Sequence, residues 1–134
     1  MTKLTKIEGI GETFAQKMLD AGIETTEALL DRGATPGGRA AVAEATGISE
    51  TLILKWVNRA DLFRIKGIGE EYADLLEVAG VDTVPELAQR NPQNLHKTLV
   101  EVNEEKKLVR RVPPLKSVKS WVAQAKELPR KLTY

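Results

Sequence analysis

Cysteine is absent from this chain of 134 residues, and histidine occurs once. The missing cysteine excludes a disulfide scaffold, a thiolate-bound zinc and a cysteine nucleophile. The single histidine, His96, stands beside Asn94 and Lys97 in a helical stretch. It reads as a surface residue rather than a catalyst or metal ligand, and no Ser-His-Asp set can be assembled around it. Aromatic residues make up only 4% of the chain, and no stretch alternates strictly between apolar and polar, which argues against strands. No apolar run approaches the roughly 18 residues of a membrane span. Met1-Thr2-Lys3-Leu4 opens without an apolar signal region, so nothing points to export and a cytoplasmic protein is expected. These absences predict no enzyme activity, cofactor, metal, small-molecule substrate or membrane contact.

What is present is ordinary globular composition, 42% hydrophobic and 29% charged, with enough residues to bury a core. The net charge of +1 hides an uneven distribution. Residues 106–134 carry nine Lys or Arg against Glu127 alone, whereas residues 1–105 carry eleven cations and eighteen acids. Such polarity bears on partners and not on fold.

The chain repeats itself. Ile7-Glu8-Gly9-Ile10-Gly11-Glu12 returns as Ile65-Lys66-Gly67-Ile68-Gly69-Glu70, an offset of 58. At the same offset Ala15 meets Ala73, Ala21-Gly22-Ile23 meets Ala79-Gly80-Val81, and Leu29 meets Leu87. Leu52-Ile53-Leu54-Lys55-Trp56-Val57 matches Ser117-Val118-Lys119-Ser120-Trp121-Val122 at an offset of 65, so the second copy holds an insertion in its middle. Two copies result, 1–60 and 61–134.

Helix signals mark each copy. Thr35-Pro36 and Asn91-Pro92 set a cap before a first-turn proline. Thr83 and Glu86 fit a capping box, Ser49 and Asn103 are further caps, and Gly22 and Gly80 suit left-handed helix ends. The spacing predicts helices at 3–8, 12–21, 25–33, 36–45 and 49–60 in the first copy. In the second it predicts them from about 60 to 66 and at 70–79, 84–90, 92–102, 104–111 and 115–127. A stretch without breakers from 49 to 66 suggests a nearly continuous helix between copies, and the tail after Pro129 is expected to fray. The fold class is therefore all-α, with two tandem helical units packed as one compact body. Trp56 and Trp121 hold equivalent places, as do Phe14 and Tyr72, which favours core packing over stacking on bases.

The glycine-isoleucine-glycine segments carry a specific physical expectation. Each glycine permits a tight turn, Ile10 or Ile68 plugs the space between two helices, and the turn offers free N–H groups at the next helix start to an anion. Ile7-Glu8-Gly9-Ile10-Gly11-Glu12-Thr13-Phe14-Ala15 and Ile65-Lys66-Gly67-Ile68-Gly69-Glu70-Glu71-Tyr72-Ala73 resemble the helix-hairpin-helix superfamily. Nearly the whole chain further resembles a bacterial helix-hairpin-helix family known only as a domain of unknown function. Thr46-Gly47-Ile48-Ser49, Asn58-Arg59-Ala60-Asp61-Leu62 and Leu108-Val109-Arg110-Arg111-Val112-Pro113 carry this closer likeness. The superfamily resemblance implies tandem double helix-hairpin-helix units that bind DNA through backbone phosphates. It places Gly9, Ile10, Gly11, Gly67, Ile68 and Gly69 among the nucleic-acid-binding candidates. One departure stands against this. Glu12, Glu70 and Glu71 follow the second glycine, where DNA-binding members of the superfamily place Lys, Arg, Ser or Pro. A carboxylate there satisfies the helix end and repels phosphate, so the two segments read as primarily structural.

The stronger candidate is the basic stretch of Lys106, Lys107, Arg110, Arg111, Lys116 and Lys119. If 104–111 is helical, Lys106 with Arg110 and Lys107 with Arg111 are i, i+4 pairs in adjacent rows, with Leu108, Val109 and Val112 facing the core. The function expected is non-catalytic, sequence-independent binding of nucleic acid, DNA first. The alternative is a protein-interaction or scaffolding module that contacts another protein or itself. The basic stretch also has a plainer reading as a solvated face.

Overall fold

In a computed structural model, described over residues 2–134, the chain is all-helical. No strand occurs among the described residues, and one isolated bridge joins Lys3 to Thr25. The chain divides into two compact units, Met1–Asp61 with Lys131–Tyr134, and Leu62–Arg130.

The first unit opens with a single 3-10 turn, Leu4–Lys6, followed by α1 (Glu12–Asp20), α2 (Thr26–Arg32), α3 (Pro36–Thr46) and α4 (Glu50–Leu62), whose last residue counts with the second unit. The caps explain these boundaries. Thr25 Oγ1 accepts from Ala28 N–H at 3.1 Å and Thr35 Oγ1 from Gly38 N–H at 3.0 Å, each satisfying an orphan donor of the first turn. Gly22 ends α1 at φ +86°, and Ile23 N–H returns to Met18 O at 2.8 Å. That is the six-to-one bond of a left-handed helix terminus, and it buries Ile23 and Met18 together.

The second unit contains α5 (Glu70–Val78), α6 (Val84–Ala88), α7 (Pro92–Lys106) and α8 (Leu115–Glu127). It repeats the first in detail. Gly80 takes φ +94°, Val81 N–H reaches Leu76 O at 2.9 Å, and Asn91 Oδ1 caps Asn94 N–H at 3.0 Å. Its core is one apolar cluster running from Leu62 and Ile65 through Leu75, Leu76, Leu95 and Leu99 to Trp121. Fully burying a side chain of this size contributes about 1.5–3 kcal/mol.

Several expectations are corrected. The predicted helices 92–102 and 104–111 are one helix that stops at Lys106. Asn103 does not start a helix. Its side chain donates to Val109 O at 3.1 Å and accepts from Val109 N–H at 3.0 Å, folding the chain back after α7. Helix α4 ends at Leu62 rather than running on to 66, since Ile65 N–H turns to Leu62 O at 3.1 Å. The predicted helix 3–8 is only the 3-10 turn Leu4–Lys6. Thr83 does not cap through its oxygen; it donates to Glu86 Oε1 at 3.2 Å. The tail is not frayed. Leu132 is 1% exposed, and Thr133 N–H donates to Ala34 O at 2.8 Å, so burial of an apolar side chain and a main-chain bond hold it.

Candidate nucleic-acid interface

Both glycine turns are built alike. Ile10 N–H donates to Ile7 O at 3.1 Å and Ile68 N–H to Ile65 O at 3.2 Å, with all four isoleucines buried. Only the first glycine of each turn needs its special conformation, with φ +94° at Gly9 and +98° at Gly67. Each also lies against a tryptophan. A Cβ on Gly9 would sit 3.3 Å from Trp56 Nε1, and one on Gly67 2.9 Å from Trp121 Nε1. Gly11 and Gly69 correct the expectation that every glycine is conformationally required. They are extended (φ −87° and −100°), and a Cβ on either would meet nothing within 4 Å. Their effect is to leave α1 and α5 with no side-chain cap, so the first-turn N–H groups face solvent beside Glu12 and beside Glu70 and Glu71.

The basic stretch is not the helix surface that the i, i+4 spacing suggested. Lys106 ends α7, and Lys107 follows in the left-handed conformation (φ 52°, ψ 45°), the one non-glycine residue with positive φ among those described. Arg110 and Arg111 lie in the irregular segment 107–114, and Lys116 and Lys119 lie in the first turns of α8. There are thus no helical rows at 106/110 and 107/111. Left-handed geometry at Lys107 ends the helix before Arg110 is reached. Leu108, expected in the core, is 38% exposed, whereas Val109 is buried. All six cations are exposed, and none is ion-paired among the described residues.

Asn103, expected to cap a helix, and Tyr72, expected in the core, hold this segment. Asn103 clamps both main-chain groups of Val109, as above. Tyr72, read as core packing, is half-buried, and its hydroxyl donates to Arg111 O at 3.2 Å. Its ring packs on Trp121 with centroids 5.3 Å apart, and Trp121 abuts Gly67. Gln124 of α8 then clasps both main-chain groups of Lys66, accepting from its N–H at 2.9 Å and donating to its carbonyl at 3.2 Å. A short series of contacts therefore brings the loop with Arg110 and Arg111 to α5, which begins at Glu70. The sequence did hold one signal for this: at offset 58 a phenylalanine, Phe14, becomes a tyrosine in the unit with the longer loop.

The first unit offers no counterpart. Thr46-Gly47-Ile48-Ser49 connects α3 to α4 without a cation, and Phe14, 5.2 Å from Trp56, has no hydroxyl to hold a loop. The charge contrast lies inside the second unit rather than between the two. The first has eight cations and nine acids, the second twelve and ten. Within the second, residues 70–105 hold nine acids and two cations, and residues 106–130 eight cations and one acid.

Among the described residues, no group of His, Asp and Glu is placed to hold a metal, and no helix is long and apolar enough to cross a membrane. Fold and site thus define an all-helical protein of two repeated units, with a basic connection between α7 and α8 in the second. The chain belongs to the family described as Domain of unknown function (DUF4332), whose model matches residues 8–128. No curated protein and no solved structure matches it.

Proposed function

We propose that this is a cytoplasmic, non-catalytic helix-hairpin-helix protein that binds nucleic acid, duplex DNA first, through its backbone phosphates. One observation carries the reading: Lys107, Arg110 and Arg111, exposed and without ion pairs among the described residues, sit on a segment fastened by Asn103 and Tyr72 beside an uncapped helix start, with Lys106, Lys116 and Lys119 on the helix ends that flank it. Fastening matters because a positioned cation loses less conformational entropy on meeting a phosphate than a free one. Cations on an irregular segment and at helix ends, rather than along a recognition helix, suit contacts to phosphate, which carry no sequence information.

A labelled duplex titrated at rising salt tests this. With about four of the six cations meeting phosphates, affinity falls about a hundredfold between ~50 and ~200 mM salt. Arg110→Glu with Arg111→Glu removes binding while circular dichroism stays native. Absence of binding at low salt, or binding indifferent to the double reversal, defeats the proposal. Glu12, Glu70 and Glu71 favour a second reading, a protein-interaction module. Each carboxylate already stabilises its helix end by about 0.3–1 kcal/mol and opposes an incoming phosphate. A stable protein complex that survives the double reversal, with no DNA binding, would select it.

A further inference from the structure

Helices α3 and α7 open identically, a cap followed by proline, yet their fourth residues differ in kind. In α7 that residue is Leu95, fully buried in the apolar core. In α3 it is Arg39, which is 6% exposed. The backbone register is the same, with Arg39 N–H on Thr35 O at 3.0 Å and Leu95 N–H on Asn91 O at 2.9 Å. A guanidinium in a leucine's place is costly unless acceptors surround it. Packing alone does not ask for one there.

Its acceptors come from two places. Arg39 Nη1 donates to Gly33 O at 2.8 Å, at the corner between α2 and α3. Nη2 donates to Thr133 O at 2.8 Å, and the guanidinium lies 5.6 Å from the centre of the Tyr134 ring. The corner is closely packed: a Cβ on Gly33 would fall 2.5 Å from Val57 Cγ2.

Residues 131–134 form no regular structure, yet each is held. Lys131 Nζ lies 3.0 Å from Asp31 Oδ1. Leu132 is buried. Thr133 gives its N–H to Ala34 O at 2.8 Å and takes Arg39 on its carbonyl. Tyr134 OH donates to Asn58 Oδ1 at 3.0 Å. Main-chain hydrogen bonds at one residue, a buried side chain at the residue before it and side-chain contacts on either side are how proteins hold extended peptides. The helix before the segment has ended at Glu127, so the segment reaches its site as a free strand and not as part of a helix.

We propose that the first unit carries a peptide site for an extended Lys-Leu-Thr-Tyr segment, that residues 131–134 are its tethered occupant, and that a second copy of this chain supplies the same segment in trans once a molecule's own segment is released. The chain encodes both ligand and site, so release in one molecule frees both halves of a reciprocal exchange. In the intact chain the tether holds the segment at an effective concentration in the millimolar range, which keeps the site filled from within.

Two full-length variants test this. Leu132→Asp with Tyr134→Ala leaves a site without its ligand. Arg39→Leu leaves a ligand without its site and borrows the residue that α7 tolerates at the same position. Each alone stays monomeric by analytical ultracentrifugation, and mixing them gives a one-to-one pair. A blocked peptide of residues 129–134 binds the first variant at least about tenfold more tightly than it binds the intact chain, which must first release its own segment. Adding Arg39→Leu to that variant abolishes peptide binding. Folded variants that neither pair nor take the peptide overturn the proposal. Amide exchange in the unaltered chain guards against variants that fail to fold. Thr133 exchanges at least about tenfold faster than Leu29, by local opening. Equal rates would make the segment part of the core and overturn the proposal as well.

Discussion

The two units agree in their apolar cores and differ at a few polar positions. Both set a tryptophan against a left-handed glycine, both tilt a Phe or Tyr ring onto that tryptophan, and both close a helix with a left-handed glycine. The first unit then buries Arg39 where the second buries Leu95. The second carries cations after α7 where the first has Thr-Gly-Ile-Ser after α3. Apolar agreement is what a shared scaffold requires, because a close-packed interior tolerates little change in volume. The polar disagreements are not needed for the scaffold, so they point to what each unit does.

The tryptophans test the agreement, with the largest effect expected. Trp56→Ala and Trp121→Ala should each lower unfolding free energy by about 3–5 kcal/mol, as truncating a buried aromatic generally does. Urea denaturation of both variants measures it. A large loss for one and a small loss for the other would show that the turns are not equivalent supports. Trp121→Ala should in addition weaken DNA binding, because Tyr72 loses its packing partner and with it the alignment that holds Arg111 O.

Asn103 tests the disagreement. At the matching helix end the first unit has Ala43, whose carbonyl accepts from Gly47 N–H as Asn103's accepts from Lys107 N–H, both at 2.9 Å. The short connection in the first unit needs no clamp, and the longer one in the second does. Asn103→Ala therefore imports the first unit's residue and leaves Val109 N–H and carbonyl without their partner. A loss of about 1–3 kcal/mol is expected, with DNA affinity reduced beyond what the stability change accounts for. Unchanged affinity would mean that the cations act without being positioned.

Much of the fold was legible in the sequence because its causes are local. Thr35-Pro36, Asn91-Pro92, Gly22 and Gly80 act within a turn of where they stand, and the helices they bound came out within a few residues. What fastens the basic segment and the tail depends on contacts between distant residues. Tyr72 meets Arg111 39 residues on, and Arg39 meets Thr133 94 residues on. Neither bond leaves a periodicity, so the fastening of the basic segment and that of the tail do not show in the sequence pattern. The six cations themselves were legible from charge; their arrangement was not.

Lys107 gives a smaller effect of opposite sign. It holds the position that Gly47 fills in the first unit (φ 73°), at φ 52° and with a side chain. A left-handed residue with a Cβ costs about 1–2 kcal/mol, and glycine loses part of that gain through its freer unfolded chain. Lys107→Gly should therefore raise stability by about 0.5–1 kcal/mol, read from urea midpoints. If Lys107 meets a phosphate, the same change lowers the salt slope of DNA binding by about one. More stable protein with an unaltered slope would drop Lys107 from the interface.

The smallest effect concerns acid, and it separates the units by a charge near the chain's start. Burial raises the pKa of Glu27, but hydrogen bonds to the carboxylate outweigh it, from the residue's own N–H, from Thr2 and from Thr26, leaving it below its usual 4.5. Thr2 N–H lies 2.9 and 3.2 Å from the two oxygens, and Thr26 Oγ1 is 3.3 Å from one of them. The second unit has Pro85 at the position of Glu27, and the acid beside it, Glu86, accepts from Thr83 Oγ1. A carboxylate with a depressed folded pKa adds stability above its unfolded pKa and loses it as pH falls through the folded one. Glu27→Gln should thus be slightly less stable than the unaltered chain at neutral pH, since an exposed group is well screened. The gap should close below pH 4.5. A gap that persists into acid would assign the role of Glu27 to shape rather than charge, and the N-terminal tie in the first unit would then need no ionised group.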